Sequence, residues 1–345
     1  MSAVVGPGAL ALALGMSPTA FLPAPEGCLA GEARQADLAL HRRYLYDTNG
    51  ARGVRGYGGP SSSESIVLPG SEHLVVLWHG FMASPEEMRP LAERLHRELG
   101  VTAYVPLLPG FGGGHRIADR FELAAWTRGV GDALARAGSC HRSASLVGYS
   151  VGGGLLAERL LSTTGEGEQG EPLEVRSLVL LSPYVQTAGW MAPALGTRVR
   201  AGFLHFLRSG LRLRRVSLRA VHELSRRRYR DLEALLDEPQ VYDQRFSLRA
   251  GINMLHLSRR LDRLPRNAAS EVPTFLAFTE ADRTVSWSRS EAFVRRRFRH
   301  LEANVRYERE AGIPHQIVVP AVNPRAEDLF AAIADFVGRH FGSEE

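Results

Sequence analysis

The segment Gly148-Tyr149-Ser150-Val151-Gly152 constrains this chain more than any other. It matches Gly-x-Ser-x-Gly, and its surroundings give the match its meaning. The run Ser143 to Tyr149 (SASLVGY) reads as a buried strand leading straight into Ser150, and an apolar helical pattern follows from Gly152 to Leu161. A serine in that position has to sit on a sharp, strained turn that exposes its hydroxyl at the carboxyl edge of a sheet. Flanking glycines let backbone and helix approach where a Cβ would collide. An ordinary glycine turn has the same five letters without the strand-helix context.

The rest of the chain repeats this rhythm. His73 to Trp78 (HLVVLW), Val101 to Leu108, Val175 to Leu181, Pro273 to Phe278 and Val305 to Glu308 read as short buried strands. Helical patterns lie between them at Pro85 to Leu99, Phe121 to Ala137 and Trp287 to Phe298, with a last one at Arg325 to Phe341. The first of these has Ser84 as N-cap, Pro85 at the first position, Glu87 completing a capping box and Gly100 as its stop. Strand-helix alternation implies an α/β fold, a mostly parallel sheet flanked by helices. Between about 186 and 266 no convincing strand is visible, only Arg-rich amphipathic helical patterns. The expected organisation is an N-terminal extension (1–62, partly irregular, ending in a turn-rich stretch at 56–63), a core at 63–185 and 267–345, and a helical cap insertion at 186–266. The Gly/Glu-rich stretch at 163–171 reads as a solvated loop.

A serine nucleophile needs a base and an acid, and on this architecture they follow in the order Ser, Asp/Glu, His. The strand Pro273 to Phe278 runs into Thr279-Glu280-Ala281-Asp282, where Asp282 is the expected acid and Glu280 its rival. Of twelve histidines, His315 alone combines the right order with an irregular loop, Gly312-Ile313-Pro314-His315-Gln316. His300 ends an Arg-rich helix and His340 lies inside the terminal one, so both read as surface histidines. His79-Gly80-Phe81 closes the first core strand, where a backbone N–H is needed for an oxyanion. Phe81 is the expected donor, with Met82 a possible alternate, and the N–H of Val151 is the second. The His79 ring reads as a brace for the turn. Met82 and Tyr149 are the expected substrate-binding side chains.

Taken together, His79 to Pro85, Pro106-Leu107-Leu108-Pro109-Gly110-Phe111-Gly112, Gly148 to Gly152, Asp282 and His315 resemble the α/β-hydrolase superfamily over about residues 70–342. Within it they look closest to bacterial monoacylglycerol lipases and carboxylesterases. The resemblance implies an α/β-hydrolase fold and an ester hydrolase working through an acyl-enzyme, with no metal or organic cofactor. One departure stands out: such enzymes commonly carry Gly-His-Gly after the second strand, and here Phe111 takes the middle position. That shifts weight toward other branches, such as C–C bond hydrolases; an acyltransferase and a non-catalytic ligand-binding relative are the further alternatives on the same fold. An Asp nucleophile, as in dehalogenases, is disfavoured by Ser150.

Composition bounds the partners. All 42 basic residues are Arg, and the formal net charge is +5. The segment from Gln186 to Pro265 holds sixteen Arg against seven acids, and Thr197 to Val221 has seven Arg and none. Such a cap would offer apolar walls to an acyl chain and Arg to water or anionic lipid. The expected partner is a small-molecule ester or lipid, with peripheral contact to anionic lipid possible through the cap. Nucleic acid is not expected, because no binding module accompanies the charge. The Gly112-Gly113-Gly114 run does not read as a phosphate loop, since the P-loop Lys is missing. Cys28 and Cys140 are too few for a disulfide framework and lack ligand spacing. No run approaches the roughly 20 apolar residues of a membrane span. A cytoplasmic address is expected, with export through the uncharged first 25 residues as the alternative.

Overall fold

The structure, a computed structural model, describes residues 27–47, 64–112, 115–162, 173–188, 197–210, 215–217 and 245–341. The boundary at 56–63, the loop at 163–171, Gly113-Gly114 and, within the insertion, residues 189–196, 211–214 and 218–244 lie outside the described residues.

The described residues begin with helix α1 (Cys28–Asp47) and strand β1 (Ile66–Leu68). β2 (Ser71–Trp78), α2 (Arg89–Leu99), β3 (Val101–Val105), the short α3 (His115–Ala118) and α4 (Leu123–Cys140) follow. Next come β4 (Ser143–Tyr149), α5 (Val151–Ser162), β5 (Glu174–Leu181), α6 (Thr197–Ser209), β6 (Arg215–Ser217), β7 (Arg245–Ser247) and α7 (Leu248–Arg263). β8 (Thr274–Thr279), α8 (Trp287–Arg297), β9 (Leu301–Tyr307) and α9 (Ala326–Phe341) complete the fold. Among the described residues, seven strands form one sheet in the order β1-β3-β2-β4-β5-β8-β9. All neighbours are parallel except β1, which runs antiparallel to β3.

Because strand side chains alternate between faces, the central strands feed two cores. Leu74, Val76 and Trp78 of β2, with Leu146, Leu178, Leu180 and Phe278, pack beneath α4, α5, α7 and α8. Val75, Leu77, Val147, Tyr149, Val179 and Phe275 pack against α2 and α9 on the other face. With both faces covered, the strands read as continuous apolar runs, which is why they were legible.

Four features depart from the sequence expectation. The N-terminal extension contains a 20-residue helix, α1, whose Leu29 and Ala33 reach the core; its weak apolar periodicity hid it. The insertion holds strands as well as helices: β6 and β7 pair antiparallel, in register Arg215↔Ser247 to Ser217↔Arg245. Strands of three residues are too short to show a period of two. Helix α7, within the stretch assigned to the cap, packs on α5 and α4 as part of the core layer. The capping box does not form: Pro85–Met88 is a 3-10 turn, and Ser84 makes no side-chain cap hydrogen bond. The Glu87 carboxylate turns elsewhere, as described below.

The two cysteines, set aside in the sequence, are joined as a disulfide between the start of α1 and the last residue of α4, 112 residues apart in sequence. Among the described residues, no helix is long and apolar enough to cross a membrane.

Candidate active site

β4 ends at Tyr149 and α5 begins at Val151, leaving Ser150 alone to make the turn. It does so at φ 50°, in the left-handed region, a conformation that costs a non-glycine residue on the order of 1–3 kcal/mol. Its neighbours hold the strain. The Ser150 N–H donates to Leu181 O (2.9 Å), and its carbonyl accepts from Gly154 N (3.0 Å) and Tyr184 N (2.8 Å). The glycines are there for space. A Cβ on Gly148 would lie 2.6 Å from Gly153 Cα, and one on Gly152 would lie 2.7 Å from the carbonyl oxygens of Trp78 and His79.

Asp282 and His315 meet Ser150 at this edge. Ser150 Oγ lies 2.8 Å from His315 Nε2, and His315 Nδ1 lies 2.6 Å from Asp282 Oδ2. All three side chains are buried. A carboxylate only accepts, so Nδ1–H donates to Asp282, and in that tautomer Nε2 is the acceptor for the serine hydroxyl. The second oxygen of Asp282 is also satisfied, accepting the N–H groups of Thr284 and Val285, both at 2.8 Å. The His315 loop is pinned from two sides. Thr279 Oγ1 donates to Ile313 O (2.7 Å), and Tyr149 Oη donates to His315 O (3.3 Å). Glu280, the rival acid, is engaged by Arg306 instead. His300 and His340 stay away from the site, facing Glu271 and Glu302.

The loop after β2 faces the serine turn. Here His79 is fully buried, and its Nδ1–H donates to Gly80 O at 3.0 Å. Its Nε2 is left to accept the Leu108 N–H at 3.4 Å. Burial pushes its imidazole down to about 4, against the opposing effect of the Gly80 hydrogen bond, so the ring is a neutral brace. Met82 turns the chain with φ 59°.

A cleft opens beside this loop, lined by Phe81, Met82, Phe111, Ala118, Ser247 and Ala250. Met82 therefore reaches the cleft, whereas Tyr149 does not line it; its ring, 5.4 Å from that of His315, stands behind the histidine. Phe111 is 4% exposed and closes the floor, edge-on to His79 (5.3 Å) and Phe81 (6.3 Å) and 5.0 Å from Trp126. A histidine there would put a polar ring among aromatics. Next to Ala118 and Ser247 of this cleft, Arg208 of α6 grips Asp119 at 3.4 Å through both Nε and Nη2, and Ser247 Oγ donates to the same carboxylate at 3.3 Å. The sequence offered no signal for this tie, since the partners lie 89 and 128 positions apart. Among the described residues no three His, Cys, Asp or Glu side chains are grouped to hold a metal ion.

The profile of the alpha/beta hydrolase family matches residues 75–332, well over half of the chain. No curated protein matches by sequence. Solved structures are similar in fold at low identity. A metagenome-derived lipolytic enzyme aligns with TM-score 0.60 and 15% identity, covering 81% of this chain and 99% of its own. The monoacylglycerol lipase of Paleococcus ferrophilus aligns with TM-score 0.59 and 17% identity, over 80% and 98%. A soluble variant of the monoglyceride lipase of Saccharomyces cerevisiae, in complex with a substrate analogue, gives 0.58 and 15%, over 81% and 92%. With the profile spanning the strand before the His79 loop through to α9, the chain belongs to the alpha/beta hydrolase family.

Proposed function

We propose that the protein is a serine hydrolase of carboxylic esters, similar to carboxylesterases and monoacylglycerol lipases. The observation that carries this reading is the hydrogen-bonded line Asp282–His315–Ser150 at the strained turn. In the reading, His315 Nε2 takes the hydroxyl proton as Ser150 Oγ attacks the ester carbonyl carbon. Asp282 keeps the imidazole in the Nδ1–H tautomer and stabilises the imidazolium. The carbonyl oxygen, now an oxyanion, is received by the N–H groups of Phe81 and Val151. The imidazolium returns the proton to the departing alcohol, and water then releases the acid by the same route. The chemistry needs no metal or organic cofactor.

The test is hydrolysis of p-nitrophenyl esters from acetate to palmitate, wild type beside Ser150→Ala. The variant should lose turnover by up to about a millionfold, and the chain-length optimum should report the acyl length that the site takes. A folded wild type inactive on every ester would remove the ester reading and bring C–C hydrolysis, acyl transfer or ligand binding forward.

A second element concerns the cap. Val199, Phe203 and Phe206 of α6 are 56–59% exposed and, spaced by four and three, form one stripe. The opposite side of α6 packs along α7, and the segment from Thr197 to Val221 has Arg and no acid. This combination supports contact of the cap with an anionic lipid surface, as in interfacial helices. Co-sedimentation with phosphatidylserine-containing vesicles should exceed that with neutral ones and fall in Phe203→Ser/Phe206→Ser. Indifference to both changes would end the idea. For cellular address, the Cys28–Cys140 bridge supports an oxidising compartment over the cytoplasm expected from the sequence.

A further inference from the structure

Glu87 is an acidic side chain with 3% exposure, immediately behind the loop that faces Ser150. In a capping box it would sit at a solvent-facing helix start. Instead its Oε2 accepts the N–H of Gly80 at 2.6 Å, seven residues back in the chain. Burying a carboxylate is costly unless hydrogen bonds repay it, and a backbone N–H bonding to a carboxylate is among the stronger kinds.

What this bond controls follows from the peptide geometry. The Gly80–Phe81 peptide is planar and trans, so the Phe81 N–H points opposite to the Gly80 carbonyl. That carbonyl is already held by His79 Nδ1–H. The preceding peptide is held through the Gly80 N–H by Glu87. Two adjacent peptide planes are thus each held by one side chain before Met82 turns the chain at φ 59°. There is no slack at Gly80: a Cβ there would lie 2.9 Å from the Tyr149 ring and 3.1 Å from Glu87 Oε2.

We propose that Glu87 is a positioning residue for ester hydrolysis, anchoring the Gly80 N–H so that the Phe81 N–H is aimed at the oxyanion. The proposal rests on the reading of Phe81 as an oxyanion donor, and Glu87 itself touches neither substrate nor serine. Losing one oxyanion donor outright costs about a hundred- to a thousandfold in turnover. A donor that is present but poorly aimed should lose part of that.

Glu87→Met keeps the volume and removes the acceptor, whereas Glu87→Gln keeps an acceptor oxygen. With p-nitrophenyl esters, Glu87→Met should lose about tenfold or more in kcat with KM within about twofold, and Glu87→Gln should recover most of the loss. Ser150→Ala run in parallel separates the two ideas. If it retains activity, the ester mechanism itself fails. If it is inactive while folded Glu87→Met keeps kcat within twofold of wild type, only the anchoring role fails. Equal losses in Glu87→Met and Glu87→Gln, or a loss carried by KM, would also overturn it. Should Glu87→Met fail to fold by circular dichroism, Glu87→Asp, whose carboxylate is one methylene short of Gly80, is held to the same kcat criterion.

Discussion

His79 has no exposed surface, and burial pushes its imidazole from 6.5 down to about 4. Asp37, on α1, is shifted the other way. Burial raises its carboxyl from 3.8 to about 7, although the N–H and hydroxyl of Ser65 both donate to it. Their effects on stability oppose each other. As pH falls from 6.5 to 4, the unfolded chain protonates at His79 while the folded one does not, so stability is lost. Between 7 and 3.8, folded Asp37 is protonated while the unfolded side chain is ionised, so stability is gained as pH falls. Each effect is on the order of 3–4 kcal/mol when fully developed. Asp37→Asn should therefore lose stability more steeply than wild type from pH 7 to 4, and His79→Asn less steeply. Urea midpoints at pH 7, 6, 5 and 4 measure this, and parallel curves for the three proteins would refute it. At the same scale, the meeting of Ser150, Asp282 and His315 was legible because chain order and loop character restrict each choice. Glu87 was misread, because the local capping pattern is satisfied on paper by residues three apart. Only the folded chain brings Gly80 within reach of the same carboxylate.

Elements differ in how much room they leave their glycines. Gly152 lies at the crossing of α5 and β2, where an added Cβ meets two backbone carbonyls that cannot yield. Gly131 lies within α4, where the nearest atom to an added Cβ is the end of the Arg159 side chain at 3.9 Å. Gly152→Ala should cost about 1–3 kcal/mol and most of the ester hydrolysis, because the turn carrying Ser150 is displaced. Gly131→Ala should gain about 0.5–1 kcal/mol and leave turnover unchanged. Denaturant midpoints and turnover for the pair test this; a neutral Gly152→Ala would remove the close-packing account of the turn. The strands of the doubly covered sheet were readable from runs of apolar residues. α1, β1 and the β6–β7 ribbon were not: α1 has little amphipathic contrast, and three-residue strands owe their existence to partners far away in sequence.

For the molecule as a whole, the bond between Cys28 and Cys140 matters through the 112-residue separation it closes. A cross-link over a loop of that size restricts the unfolded chain by about 4–5 kcal/mol in the chain-entropy account. Reduction should lower Tm by roughly 5–10 °C, and Cys28→Ser should match the reduced wild type. Two free thiols in oxidatively prepared, denatured protein, or an unchanged Tm on reduction, would contradict it. A different consequence follows from Tyr149. This one residue adjoins Ser150 in the chain and donates its hydroxyl to the carbonyl of His315. Hydroxyl and imidazole are therefore mounted on a common rail, the end of β4.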